Sequence, residues 1–288
     1  MKSVISILGR VAAAAAALVT VASMLGSAPA QAQSSYDTFD STVGIFNCSA
    51  SVVQLPESRD SDRALVLTNG HCIQPVLDRY LNRGEVVTNR SLGFLDKGYF
   101  KNVTFYGGSS PTQLTTGTLT DLVYATMDNT DIAILRVDKT YGQLKTSGVK
   151  VRPLSSSHPV DGTSIEIPST YWQRAYSCNI DGFAHELQEG PWLWRDAIRY
   201  SYGGCEVQAG SSGSPIVDVN TGAVIGINNT AVEGGAECAM GNPCEVDPNG
   251  NKATNPGRSY GTQTYYIPTC FNNSTLAMNK AGCELPRG

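Results

Sequence analysis

Short β-branched and apolar runs, separated by turn-forming residues, recur along most of this chain. Residues 42–53 and 64–68 form two such runs with a polar Asp- and Ser-rich turn between them. Others are Ile132-Ala133-Ile134-Leu135-Arg136-Val137, residues 164–167, 214–219 and 223–228. Asn220-Thr221-Gly222 between the last two predicts a hairpin turn. Helical periodicity is scarce, and short helices are expected only over 74–82 and 275–280. Many short strands with turn signals predict an all-β sandwich or barrel. The polar, Gly-, Ser- and Pro-bearing stretch 139–162 is the expected linker between two β units, and 241–260 is expected as a long surface loop.

The first 33 residues follow another pattern. Lys2 and Arg10 precede an uninterrupted apolar or small-residue run over 11–25, and Ser27-Ala28-Pro29-Ala30-Gln31-Ala32 offers small residues at cleavage spacing. The run is short against the roughly 20 residues of a membrane span. A secretory signal peptide over 1–32, cut after Ala30 or Ala32, is therefore expected, with a secreted product and no membrane association after its removal. Loss of Lys2 and Arg10 leaves 19 basic against 25 acidic residues, a net charge of −6. No basic run of useful length remains, so a nucleic-acid partner is not expected.

All eight cysteines (Cys48, Cys72, Cys178, Cys205, Cys238, Cys244, Cys270 and Cys283) lie beyond the leader. An even number in an exported chain, with no C-x-x-C spacing, predicts disulfides rather than a metal site. Nearest-neighbour pairing in chain order is expected. The first bridge would then close a loop contributing roughly 3 kcal/mol by chain entropy.

Candidate chemistry lies in three segments. Gly210-Ser211-Ser212-Gly213-Ser214-Pro215 sets a serine in a glycine-rich turn, where the Gly210 and Ser212 N–H groups can converge on a developing oxyanion. Ser212 is preferred to Ser211 because glycine follows it directly. A serine hydroxyl needs a base, and His71 ends an apolar run beside Cys72, whose disulfide would hold it in place. The remaining histidines, His158 and His185, sit in polar segments and are expected at the surface. Asp131 opens an apolar strand, where a carboxylate at the rim of a core can orient an imidazole. Asp121 and Asp128 lack that setting. The order His71, Asp131, Ser212 is that of the triad of chymotrypsin-type enzymes.

These residues resemble the chymotrypsin-fold serine peptidases, closest to their secreted bacterial trypsin-like and glutamyl-endopeptidase-like branch. Asn69-Gly70-His71-Cys72 is similar to the family's Ala-Ala-His-Cys. Asp131-Ile132-Ala133-Ile134-Leu135 is similar to Asp-Ile-Ala-Leu-Leu, and residues 210–215 to Gly-Asn-Ser-Gly-Ser-Pro. The resemblance implies two six-stranded antiparallel β-barrels with a catalytic cleft between them. One domain over 33–288 would hold barrel one at about 36–145, barrel two at about 160–270 and a C-terminal segment from 271. It also implies hydrolysis of peptide bonds in protein or peptide substrates by a monomer without cofactor or metal. Ser211 stands where many animal members carry the aspartate of their zymogen switch, so that switch is not expected. Six residues before Ser212, Glu206 occupies the family's specificity-pocket position and would favour Arg or Lys. Asn228 stands where the glutamyl branch often has histidine, which disfavours acidic substrates. Cys205 lies seven residues before Ser212 rather than four, so the pocket walls are braced differently; the alternative is that Glu206 turns outward as an ordinary solvated acid, leaving apolar or broad specificity.

Other chemistries fail on order or spacing. No histidine follows Ser212, as an α/β-hydrolase requires, and His185-Glu186-Leu187-Gln188-Glu189 lacks the second histidine of a zinc peptidase. The remaining alternative is an inactive homologue that binds a protein partner through the same cleft.

Overall fold

The computed structural model describes Met1, residues 35–93 and residues 101–288. The expected signal peptide lies outside the described residues, apart from Met1. The remainder falls in one compact unit, Gln33–Gly288. Twelve strands carry the architecture. The first six are β1 (Thr42–Ile45), β2 (Cys48–Gln54), β3 (Arg63–Thr68), β4 (Asn102–Gly107), β5 (Thr112–Thr126) and β6 (Ile132–Thr140). The second six are β7 (Ser164–Ser169), β8 (Arg174–Glu189), β9 (Trp192–Tyr200), β10 (Pro215–Asp218), β11 (Val224–Ala231) and β12 (Ser259–Gln263).

Each set closes on itself. The first ring runs β1-β4-β5-β6-β3-β2 and returns to β1; the second runs β9-β12-β11-β10-β7-β8 and returns to β9. Every pairing within the rings is antiparallel. Closure leaves no exposed ring edge for another chain to extend. The fold is therefore the expected pair of six-stranded barrels.

Strand alternation divides the apolar residues between two layers. On β6, Ala133, Leu135 and Val137 point into barrel one, while Ile132 and Ile134 face outward beneath the C-terminal segment, against Phe271, Leu276 and Leu285. Both faces are buried, which is why the sequence reads as an uninterrupted apolar run. Barrel two has its own interior, including Ile165, Ile167, Ile198 and Ile216.

Several expected elements take another form. The run 42–53 is a hairpin rather than one strand, because Phe46 turns the chain at φ 49° and Ile45 pairs with Cys48. The expected helix over 74–82 shrinks to a helix α1 (Gln74–Leu77), preceded by a 3₁₀ turn at His71–Ile73, and left-handed Asp78 ends it. No helix forms over 275–280. Left-handed Asn273 folds Phe271–Asn272 back against Thr275–Leu276, and the Cys270–Cys283 disulfide secures the turn.

The stretch 139–162 carries helix α2 (Tyr141–Thr146), started by a Thr140–Gln143 capping box and anchored by buried Tyr141 and Leu144. Within 241–260, Cys244–Val246 pairs with β8 and Lys252–Ala253 extends the sheet. All four disulfides join nearest neighbours: 48–72, 178–205, 238–244 and 270–283. Among the described residues, no helix is long and apolar enough to cross a membrane.

Arg152 is among the largest fully buried side chains. Its guanidinium donates to the carbonyls of Asp40 (3.0 Å), Gly222 (3.0 Å) and Asp37 (2.6 Å). It thus ties the segment before β1 to the β10–β11 turn. Arg152→Ala would take the guanidinium from the Asp40 and Gly222 carbonyls and leave the Asp37 carbonyl only the Asp40 N–H, at a cost of about 3 kcal/mol. Denaturant unfolding should show a lower midpoint with an unchanged slope.

Candidate active site

His71 follows β3 directly, within the 3₁₀ turn. Its approach to Asp131 depends on Gly70, where a Cβ would lie 2.2 Å from the Thr126 carbonyl and 2.8 Å from Asp131 Oδ1. Only glycine fits there. Asp131 precedes β6 and is wholly buried. Its Oδ1 accepts the His71 backbone N–H (2.9 Å), and its Oδ2 accepts the Nδ1 proton (2.7 Å). With Nδ1 donating, Nε2 is the basic nitrogen. Burial works against the imidazolium. The charge and hydrogen bond of Asp131, with the charge of Glu189, outweigh it and hold the His71 pKa above its ordinary value.

Ser212 lies on the loop between β9 and β10. The Ser211, Gly213 and Ser214 amides donate to the carbonyls of Gln208, Asn228 and Ser211, and among the described residues those of Gly210 and Ser212 have no acceptor. Gly213 adopts φ +80°, and a Cβ there would lie 1.9 Å from the Ser49 carbonyl. The loop is thus pressed against the start of β2, with the Ser49 N–H donating to the Ser212 carbonyl (2.8 Å). Ser211 is buried and donates to the Gln208 carbonyl. The Ser212 hydroxyl donates to the Asn229 carbonyl (3.1 Å), and among the described residues it makes no hydrogen bond to His71.

His71, Ser211, Ser212 and Asn228 line one cavity of about 160 Å³, and Glu206 does not. Glu206 is exposed, and its carboxylate accepts the Gly203 and Gly204 amides at 3.0 and 3.1 Å. The hydrogen bond from Gly204 leads in holding its pKa below the usual value. The expected pocket carboxylate is therefore a loop cap in solvent. The Cys178–Cys205 bridge fastens the residue before it to β8.

Asn228 is buried. Its amide donates to the Ser211 carbonyl (3.0 Å) and accepts from Tyr200 (3.1 Å), so it braces the serine loop. His158 is exposed, as expected, and hydrogen-bonds Asp196 at 2.9 Å. The only cluster of metal-type donors among the described residues is Cys48, His71 and Cys72, and both sulfurs are committed to a disulfide.

Two residues of the site carried no signal of their own in the sequence. Asn69 is buried between the barrels; its Nδ2 donates to the Asp131 carbonyl (3.0 Å) and its Oδ1 accepts the Gly213 amide (2.6 Å). Its place beside the His-Cys motif was the only clue. Glu189, at the end of β8, lines the same cavity and is 5% exposed. Its distance in sequence from all three motifs concealed it.

A search of curated protein sequences finds no match. Among solved structures, the chain is similar to the MamO protease domain from Magnetospirillum magneticum in its apo form. Identity is 11% and the TM-score 0.47, with 82% of this chain and 98% of that chain covered. It is also similar to the active form of the Rv3671c protease from M. tuberculosis (17% identity, TM-score 0.43, 87% and 85% covered). A Nocardiopsis protease, NAPase, matches at 13% identity and TM-score 0.41, with 79% and 92% covered. The family model of the trypsin-like peptidase domain matches residues 58–227, a stretch that holds His71, Asp131 and Ser212. With that match over more than half its length, the chain belongs to the trypsin-like peptidase domain family.

Proposed function

We propose that this protein is a secreted serine endopeptidase acting through an acyl-enzyme, with His71, Asp131 and Ser212 as its triad. One observation carries the reading. An imidazole with its Nδ1 proton committed to a buried carboxylate opens on the same cavity as a serine flanked by two unpartnered amides. Four disulfides support an oxidising, extracellular setting.

In this mechanism the Ser212 hydroxyl turns from the Asn229 carbonyl toward His71 Nε2 and attacks the scissile carbonyl carbon as Nε2 takes its proton. The Gly210 and Ser212 amides receive the oxyanion. Collapse of the adduct breaks the C–N bond, and the imidazolium returns its proton to the leaving amine. Water, deprotonated by the same nitrogen, then hydrolyses the ester. Asp131 fixes the tautomer and stabilises the imidazolium.

The Ser212–Asn229 hydrogen bond favours a second reading, in which a serine turned away from its base belongs to an inactive, partner-binding homologue. A fluorophosphonate probe separates the two. An active enzyme gains one phosphonyl adduct that maps to Ser212 and disappears in Ser212→Ala; a folded but unlabelled protein overturns the proposal.

Because the raised His71 pKa requires deprotonation before catalysis, kcat/KM should climb with pH along a limb whose midpoint lies above 6.5. The sign is opposite for stability. The imidazolium–Asp131 pairing stabilises the fold fully below 6.5 and is lost as pH rises through the raised value. Asp131→Asn should lower kcat by about 10⁴-fold and move the limb toward acid pH. Steady-state profiles from pH 5 to 9 test both, and an acid limb below 6.5 in the parent contradicts the assignment.

A further inference from the structure

Part of the cavity wall comes from two elements that the proposed chemistry does not use: the turn after β8 and the loop closed by the Cys238–Cys244 disulfide. They are fastened together. The Gly190 N–H donates to the Cys238 carbonyl (2.6 Å), the Glu233 N–H to the Gly241 carbonyl (2.9 Å), and the Gly241 N–H to Glu189 Oε1 (2.7 Å). The second oxygen of that carboxyl, Oε2, is buried without a hydrogen-bond partner. Burial pushes the Glu189 carboxyl above its usual pKa, while the Gly241 amide, the nearby Thr230 hydroxyl and the charge of His71 draw it back.

This acid has no structural justification of its own. The seam between turn and loop needs one acceptor, which a glutamine oxygen would supply without a buried charge. Among the described residues, Oε2 has no donor, and the only group lining the cavity that can carry positive charge is His71. Glu233 adds a second, exposed acid to the same lining, which among the described residues includes neither lysine nor arginine. Tyr80, Met127, Trp194 and Met240 supply the apolar part of the wall. Apolar flanks with an acidic end suit a long side chain that buries its methylene stem and carries donors at its tip.

We infer that Glu189, backed by Glu233, forms a cation-binding subsite that selects a lysine or arginine side chain of the peptide occupying the cavity. The inference rests on the reading of that cavity as a peptide site. It moves acidic selectivity from Glu206, which faces solvent, to a hairpin far from the serine motif in sequence.

The test uses Ser212→Ala, so that binding is measured without turnover. N-acetylated tetrapeptide amides, with arginine or norleucine at one position at a time, are titrated by calorimetry at pH 8 and low salt. At one position arginine should bind about tenfold more tightly or better, as a charge-assisted hydrogen bond implies. Adding Glu189→Gln should bring that ratio near one while norleucine binding persists, and added salt should reduce it. Should Glu189→Gln bind neither peptide, Glu233→Gln on the exposed rim decides, since it should lower the ratio in part.

Equal affinities at every position, no measurable binding, or a ratio unchanged in these variants would overturn the inference. So would a preference seen only in a parallel series with a free N-terminal amine and absent from the acetylated one, which would assign the site to an ammonium terminus. Failure of the parent protein to hydrolyse either series, with the arginine preference in binding retained, would sink the peptidase reading and leave the subsite standing.

Discussion

Three hydrogen bonds, two of them between the barrels, hold the corner where the histidine, the aspartate and the serine meet. Asn69 reaches from the end of β3 to the Asp131 carbonyl with its nitrogen and to the Gly213 amide with its oxygen, and Ser49 at the start of β2 holds the Ser212 carbonyl. None of these groups titrates near neutral pH or faces solvent. They position those that do. Gly213 makes the arrangement sterically feasible, because any side chain there would collide with the Ser49 carbonyl. The Cys48–Cys72 disulfide encloses the same corner, joining the residue before Ser49 to the residue after His71. Barrel one thus grips the serine loop through backbone and amide contacts whose geometry leaves little freedom.

Inside that frame, charge is distributed unevenly. The His71 imidazole is influenced by Asp131 through a hydrogen bond and by Glu189 through space. Asp131 is buried with its oxygens occupied, so it acts on one partner only. Glu189 is buried with one oxygen unoccupied, so it remains able to take another. Two acids of similar burial are therefore suited to different tasks by the number of hydrogen bonds they already accept. The cavity lined by Glu189 and Glu233 carries an acidic bias that a cationic side chain would relieve.

Much of this was legible in the sequence because the signals were local. Alternating and β-branched runs marked the strands, Asn220-Thr221-Gly222 marked a hairpin, and short spacings paired the cysteines. The serine, histidine and aspartate segments each carried a recognisable neighbourhood. The failures came where distant contacts decide the outcome. Glu206 counts to the pocket position from Ser212, but it takes the outward alternative that the shifted Cys205 allows: the Cys178–Cys205 bridge holds its neighbour to β8 and the glycine amides at 203 and 204 capture its carboxylate. Glu189 reaches the cavity only because β8 is sixteen residues long and turns there. Residues 275–280 have a composition compatible with helix, yet a disulfide and left-handed Asn273 impose a turn. Helix α2 was hidden because its capping box lies in a stretch whose polarity reads as linker.

Asn69 is the residue on which the joint geometry rests, and the rate of phosphonylation of Ser212 in Asn69→Ala tests this most directly. Loss of both side-chain bonds should displace the serine loop from His71 by a fraction of an ångström or more. Labelling should then slow by about 100-fold while circular dichroism still shows the folded β-protein. Labelling at the parent rate in that folded variant would contradict this role of Asn69.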